Sequence, residues 1–303
     1  MKIHRRQFLE TAALGTAGLL IAKGPLLAEP VAATVDPTAL VPLGKRLKVS
    51  RIGMGTGVNA GNRTSQQIKK LGVEKFERLI SEAYDKGIRL FDMADMYGSH
   101  AIVGRALKDK PRDSYALISK VWFFSFGLPE KELEDADVAV KRFLKEYGTD
   151  YLDLVQIHCQ MDAKWPEKMR KQMDLLEGLR EKGLIRAHGV TIHSLSALEA
   201  AAEEPWVDVV HARINHEGSN MDAKPDKVAP VLKKIHDSGK GVIGMKLIGA
   251  GKYRNDSANR EASFRYVLGL GTVDVLVIGF ERSEEIDNVL ELTKLALESK
   301  VKQ

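Results

Sequence analysis

The sequence predicts an α/β protein folded as a single closed (β/α)8 barrel of the TIM type, and three observations carry that prediction. From about residue 47 onward, short runs rich in Val, Ile and Leu alternate eight times with longer segments of helical period. Eight such units in roughly 250 residues suit a closed barrel. Gly87, Gly183 and Gly239 each stand between a helix and the next strand, where glycine supplies the left-handed turn. An open doubly wound sheet would want a glycine-rich loop opening its first helix. Here Gly53-Met54-Gly55-Thr56-Gly57 has a different spacing, and residues 62–71 offer no helix directly behind it.

The elements follow in chain order. Residues 4–10 read HRRQFLE, and an apolar stretch of small residues runs from Thr11 to Ala22. It is shorter than the ~20 apolar residues a bilayer span needs. Arg5-Arg6 ahead of Phe8-Leu9 resembles a twin-arginine export signal, with cleavage expected after Ala33 or Ala28. This division gives a signal over 1–33, a linker over 34–43 containing Pro37 and Pro42, and the barrel over 44–303. The expected partner of the first segment is the twin-arginine export machinery, and the expected destination is the periplasm, with no stable membrane insertion after processing. A short hairpin precedes the barrel. Strands are expected over 51–55, 88–92, 115–121, 151–158, 185–191, 207–214, 241–247 and 273–279. Helical periods fill the gaps, among them 73–86, 131–147, 167–182 and 284–297.

Composition narrows the function classes. Of 303 residues, 44% are hydrophobic and 29% charged, which suits one large core rather than a disordered chain. The formal charge is +5, of which +2 falls in residues 1–33 and +3 in the remaining 270. No block of five like charges occurs, which argues against a nucleic-acid partner. A lone cysteine, Cys159, excludes an intrachain disulfide framework and cysteine-rich metal sites, and it is expected to pack as a small apolar side chain.

Chemistry in such a barrel gathers where strands end. Asp92 closes the second strand and Tyr97 follows in its loop; Lys120 closes the third, and His158 the fourth. Each has an ordinary structural reading: a loop cap, a packed aromatic, a surface lysine, a satisfied core histidine. Their arrival on three consecutive strand ends favours chemistry, because an unpaired charge there is costly. Asp92 and Lys120 can pair, Tyr97 can reach them, and a nearby ammonium is expected to lower the phenol pKa. His158 can then donate to a substrate oxygen.

FDMADMYG (91–98), SKVW (119–122), DLVQIHC (153–159) and PLGKRLKVSRIGMGTG (42–57) together resemble the aldo-keto reductase family, in order and over residues 42–300. The resemblance implies reduction of an aldehyde or ketone to an alcohol by hydride from a nicotinamide, without a metal. It implies Tyr97 as general acid, Lys120 lowering its pKa, Asp92 orienting Lys120, and His158 polarising the carbonyl. Trp122, Phe123 and Phe124, with Phe126 close behind, would line an apolar substrate wall, and Gln160, Met161, Asp162 and Trp165 a second. The substrate this implies is a small carbonyl compound.

The cofactor half of the resemblance departs from the family pattern. Gly55 and Thr56 close the first strand. HGVTIH (188–193) keeps a hydroxyl at Thr191 but has Ile192 in place of asparagine, so His193 or Asn215 would complete the carboxamide contact. In GVIGMKLIGAG (241–251), Met245 stands where a ring usually packs on the nicotinamide, Lys246 would meet the pyrophosphate, and Gly249 would admit it closely. VIGFERSEEIDNVLE (277–291) places Gly279, Arg282, Glu285 and Asn288 at the adenosine end. Acidic Glu284-Glu285 would repel a 2′-phosphate and Arg282 would attract one, so the resemblance favours NADP(H) while local charge favours NAD(H). Two rival functions remain on the sequence: a metal-dependent barrel hydrolase, which would want converging histidines, and a slow-turnover nicotinamide-binding or redox-sensing subunit on the same barrel.

Overall fold

The chain first forms a plug and then the barrel it closes. In the computed structural model, which describes residues 35–301, β1 (Leu40–Leu43) and β2 (Leu47–Ser50) pair antiparallel. Gly44 makes the turn at φ +61°, and a Cβ there would lie 2.9 Å from the backbone nitrogen of Gly241. Leu43, Leu47 and Val49 pack beneath the barrel interior. Residues 40–43, which composition placed in the linker, are therefore strand; Leu43 is fully buried because the barrel floor needs an apolar cover. The twin-arginine-like segment 1–33 lies outside the described residues.

Eight parallel strands follow: β3 (Ile52–Gly55), β4 (Leu90–Asp92), β5 (Ala116–Val121), β6 (Leu152–Gln160), β7 (Ile185–Ile192), β8 (Val209–Arg213), β9 (Gly241–Met245) and β10 (Val275–Gly279). They pair in sequence order, and β10 pairs with both β9 and β3, which closes the barrel. All eight expected strands are present, with ends displaced by one or two residues.

Around them lie α1 (Gln66–Asp85), α2 (His100–Ala106), α3 (Ala136–Tyr147), α4 (Trp165–Lys168), α5 (Arg170–Glu181), α6 (Leu195–Glu203), α7 (Pro225–Asp237), α8 (Ser257–Gly269) and α9 (Ser283–Val301). The expectation that no helix follows closely behind the first strand fails. The Ser65 side chain accepts from the Ile68 amide and starts α1 at residue 66, while Gly72 at φ 71° interrupts the period that would have shown it. Gly87, Gly183 and Gly239 all have left-handed φ, as their positions before strands required.

Two apolar layers result. Leu90, Ile118, Leu154, Val209, Ile243 and Val275 fill the barrel interior above the plug. A larger layer, including Phe76, Phe143, Leu176 and Phe264, lies between strands and helices. With the floor sealed, the carboxyl ends of the strands form the open mouth.

Candidate active site

A cavity of about 640 Å³ opens at that mouth and is bordered by Asp92, Tyr97, Lys120 and His158. Asp92 ends β4 and Lys120 is the penultimate residue of β5, and they are only 4% and 2% exposed. Buried charges of this kind must pair. The Lys120 ammonium donates to Asp92 Oδ1, and to the Met93 carbonyl at 2.7 Å. Burial pushes the Asp92 carboxyl up and the Lys120 ammonium down, each partly held back by the charge of the other. Thr56 braces this corner from behind: its amide and hydroxyl both donate to the Asp92 carbonyl, at 3.0 and 2.9 Å.

Tyr97 rides on a 3-10 turn, Asp95–Tyr97, that is pinned from outside. The buried Asp95 carboxylate accepts from Arg142 of α3 at 2.9 Å and lies 3.3 Å from Arg63. On the other side Gly57 backs the ring so closely that a Cβ would lie 2.2 Å from it. Lys120 Nζ lies over the Tyr97 ring, 5.2 Å from its centroid. His158 meets that ring edge-on, centroids 5.8 Å apart.

The expected lowering of the Tyr97 pKa is not found. Burial, with the Asp92 charge behind it, pushes the phenol well above its ordinary value. The ammonium cannot offset this because Asp92 already neutralises it. His158 is held well below the usual histidine range, by burial first and then by Lys120, so the ring is neutral. Its Nδ1 is buried with no partner among the described residues, which leaves Nε2 as the nitrogen for the cavity.

The remaining expected residues divide. Gly55, Thr191, His193, Met245, Lys246, Gly279 and Trp122 border the cavity. Thr56 does not; it is wholly buried and committed to Asp92 and to Ser99 at 2.7 Å. Asn215 does not either. Its amide donates to the carbonyls of Ser219 and Lys246, and its oxygen accepts from the Ser219 amide, so it ties two loops together. Gly249 turns inward against Tyr253, and its neighbours Ala250 and Gly251 face the cavity. Phe123 packs outward into the helix layer and Phe124 stacks on Phe126, which takes the wall position. The second proposed wall fails too: Trp165 is buried against α6, and Met161 is exposed outside the cavity. Cys159 is 5% exposed and packs with Trp122 and Leu128, at a left-handed φ of 61°. Burial raises its thiol to about 11.

Arg282, Glu285 and Asn288 border a second hollow of about 200 Å³, together with Arg254 and Arg260. Glu285 is not free for a ribose, because one of its oxygens accepts from the Glu281 amide at 2.8 Å and the other from Arg282 at 3.4 Å.

Residues missed by the sequence are those whose partners come from other strands. His211 borders the cavity in register with Thr191, its Nε2 buried with no partner among the described residues. Arg213 borders it too, 3.2 Å from the buried Asp222, whose carboxyl is raised to about 6 by burial. His193 is pushed down to about 3 by burial and by Arg213. Burial and Arg213 also lower Lys246, which has a left-handed φ of 65° and which no carboxylate among the described residues offsets. An unpaired cation and unsatisfied imidazole nitrogens around a large cavity fit a polar, anionic ligand.

The sequence profile of the Aldo/keto reductase family matches residues 51–265. An aldo-keto reductase of Mycobacterium avium (strain 104) is 33% identical over 160 residues, which are 49% of this chain and 52% of that protein. The chain thus spans about half the length of the curated relatives it matches. Among solved structures, aldo-keto reductase AKR11C1 from Bacillus halodurans (holo form) aligns with a TM-score of 0.66 at 18% identity, over 87% of this chain and 96% of that one. An aldo/keto reductase from Klebsiella pneumoniae in complex with NADP and acetate aligns at 0.61 and 20% identity, over 87% and 90%. At these identities the likeness is one of fold.

Proposed function

Because the chain belongs to the aldo/keto reductase family, we propose that it reduces an aldehyde or ketone to an alcohol, with NADP(H) as hydride donor and Tyr97 as general acid. The observation that carries this reading is the convergence of Tyr97, the Lys120–Asp92 pair and His158 on one cavity at the strand ends. A carbonyl oxygen placed between Tyr97 and His158 receives a proton from the phenol as charge develops on it. The raised pKa of Tyr97 keeps that proton in place at neutral pH, which suits the reductive direction. Neutral His158 donates from Nε2 and orients the oxygen without competing as an acid. Lys120 holds positive charge under the tyrosine ring while Asp92 keeps it in position. Trp122 and Phe126 keep water from the apolar part of the substrate.

The bound nicotinamide would supply the hydride. Lys246 is the residue for its pyrophosphate, since it borders the cavity and no carboxylate among the described residues offsets its charge. Met245 and Thr191 border the same cavity as the tetrad. At the second hollow three arginines, Arg254, Arg260 and Arg282, stand against two glutamates, Glu284 and Glu285, and Arg260 has no carboxylate partner among the described residues, which favours a 2′-phosphate and hence NADP(H). We also propose that residues 1–33 direct export to the periplasm; Arg5-Arg6 and the apolar run behind them support it.

Titrating the purified protein with NADPH and NADH while following tryptophan fluorescence, then adding aldehydes, tests the reading. Binding of NADPH with aldehyde turnover that Tyr97→Phe abolishes is the expected result. Failure to bind either nucleotide would overturn it, and binding without turnover would assign the chain to the nicotinamide-binding module instead. Arg282→Ala should weaken NADPH and spare NADH; equal weakening would overturn the coenzyme assignment. Retained export of an Arg5→Lys/Arg6→Lys variant would refute the address.

A further inference from the structure

His193 stands just beyond β7, one residue before the Ser194 cap of α6. Its ring borders the cavity and meets His158 edge-on, centroids 6.5 Å apart. The residue before it, Ile192, is fully buried and apolar, so polar recognition at this strand end falls to His193. Two donors converge on its Nδ1: a guanidinium N–H of Arg213 and the Cys159 thiol at 3.2 Å. Arginine can only donate. Nδ1 must therefore present its lone pair, and the single proton of the neutral ring lies on Nε2. No group among the described residues takes that Nε2–H. Arg213 in turn faces Asp222 of the loop after β8 as an ion pair at 3.2 Å, the Asp222 side chain being 5% exposed.

We propose that Asp222, Arg213 and Cys159 lock His193 as a neutral Nε2–H donor aimed into the cavity, where it hydrogen-bonds a carbonyl-type oxygen of the bound ligand. Arg213 and Asp222 act as positioning residues, through His193 rather than on the ligand. Two oxygens share the required chemistry: the nicotinamide carboxamide, and a second oxygen beside the reacting carbonyl of the substrate. Which ligand is present rests on the reductase reading above; the tautomer of the free protein does not. A hydrogen bond from an unlocked imidazole would need the correct tautomer to be drawn from a mixture, so removing the lock weakens the contact without removing the ring.

The experiment combines 15N-detected imidazole spectra of the free protein with NADPH titration and with turnover of propanal and 2-oxopropanal. In wild type the His193 proton should reside on Nε2 at pH 7. Arg213→Met should redistribute it between the two nitrogens, and Arg213→Lys, which keeps a donor, should restore the wild-type spectrum. A rise of about tenfold in the NADPH Kd of Arg213→Met assigns the carboxamide, whereas an unchanged Kd with a tenfold loss of preference for 2-oxopropanal assigns the substrate oxygen; either supports the lock. In a His193→Gln background the amide N–H replaces Nε2–H with no tautomer to choose, and Arg213→Met should then change ligand affinity less than twofold. His193→Gln should exceed His193→Phe at least tenfold, in NADPH affinity if the carboxamide is the acceptor or in preference for 2-oxopropanal if the substrate oxygen is, which keeps the lock testable even if Arg213→Met does not fold. A proton on Nδ1 in wild type, no effect of Arg213→Met, or the same effect in the His193→Gln background would each overturn the proposal. If wild type binds neither nucleotide, the reductase reading falls while the spectra still decide the lock.

Discussion

Replacing Lys120 by methionine asks what holds the Asp92 corner together. Asp92 and Lys120 are nearly inaccessible, and their charges meet through a direct hydrogen bond. Lys120→Met leaves the carboxylate with its main counter-charge gone; the next basic nitrogen, His211 Nδ1, is 3.9 Å away on a ring that burial keeps neutral. Leaving one partner of a buried pair uncompensated costs about 3–5 kcal/mol. That is a large share of the ~5–15 kcal/mol that holds a typical domain folded. Asp92→Asn leaves the ammonium with the Met93 carbonyl and should cost a similar amount. Removing both charges should recover ~2–3 kcal/mol relative to the sum of the single changes, because neither charge is then stranded. Urea unfolding followed by fluorescence of Trp122, Trp165 and Trp206 gives the cycle directly. The pH dependence supplies a second check. Without Lys120 the Asp92 pKa rises further above its unfolded value, so the native variant takes up a proton that the unfolded chain releases. Its deficit against wild type should shrink as pH falls from 7 toward 5, by up to ~1.4 kcal/mol per pH unit. Single costs that add to the double within ~0.5 kcal/mol, or a deficit independent of pH, would refute the pairing argument.

Three further outcomes follow from the geometry. Gly57→Ala should push Tyr97 off its position, since the added Cβ would lie 2.2 Å from the ring. The expected loss is about a hundredfold in kcat for aldehyde reduction, with NADPH binding changed far less, and full activity would contradict the packing. The kcat/KM of reduction should show no decline set by Tyr97 near neutral pH or just above it, because Tyr97 acts as an acid whose pKa burial raises; a decline beginning near pH 8 would contradict this. Stability should fall below about pH 6.5, where unfolded histidines bind protons. Burial lowers His100, His158, His188, His193 and His211 in the native state, while raised Asp92, Asp222 and Asp274 oppose the trend. Each unbalanced proton contributes ~1.4 kcal/mol per pH unit, so urea midpoints that rise on acidification from pH 6.5 to 5 would reverse the predicted sign.

The barrel was legible because its signals are local. A run of β-branched residues, a helical period and a glycine before the next strand can each be read within fifteen residues, and β3 through β10 lie where those signals put them. Asp92, Tyr97, Lys120 and His158 were legible for a related reason: polar residues that interrupt apolar strands at their carboxyl ends are brought to one mouth by the topology itself. Where a local signal was broken, as by Gly72 within α1, the reading failed.

What the tertiary structure alone decided is which neighbour each polar atom meets. Asn215 and Thr56 carry the right chemistry for a cofactor, yet other loops claim their hydrogen bonds first. Arg213, Asp222 and His193 lie on separate segments, and only the register of β7 against β8 sets them side by side. The lysine near Tyr97 implied a lowered phenol pKa, whereas burial and the Asp92 charge raise it. Strand order depends on patterns written in the chain. Pairing and desolvation are sums over three-dimensional neighbours, which no stretch of sequence contains.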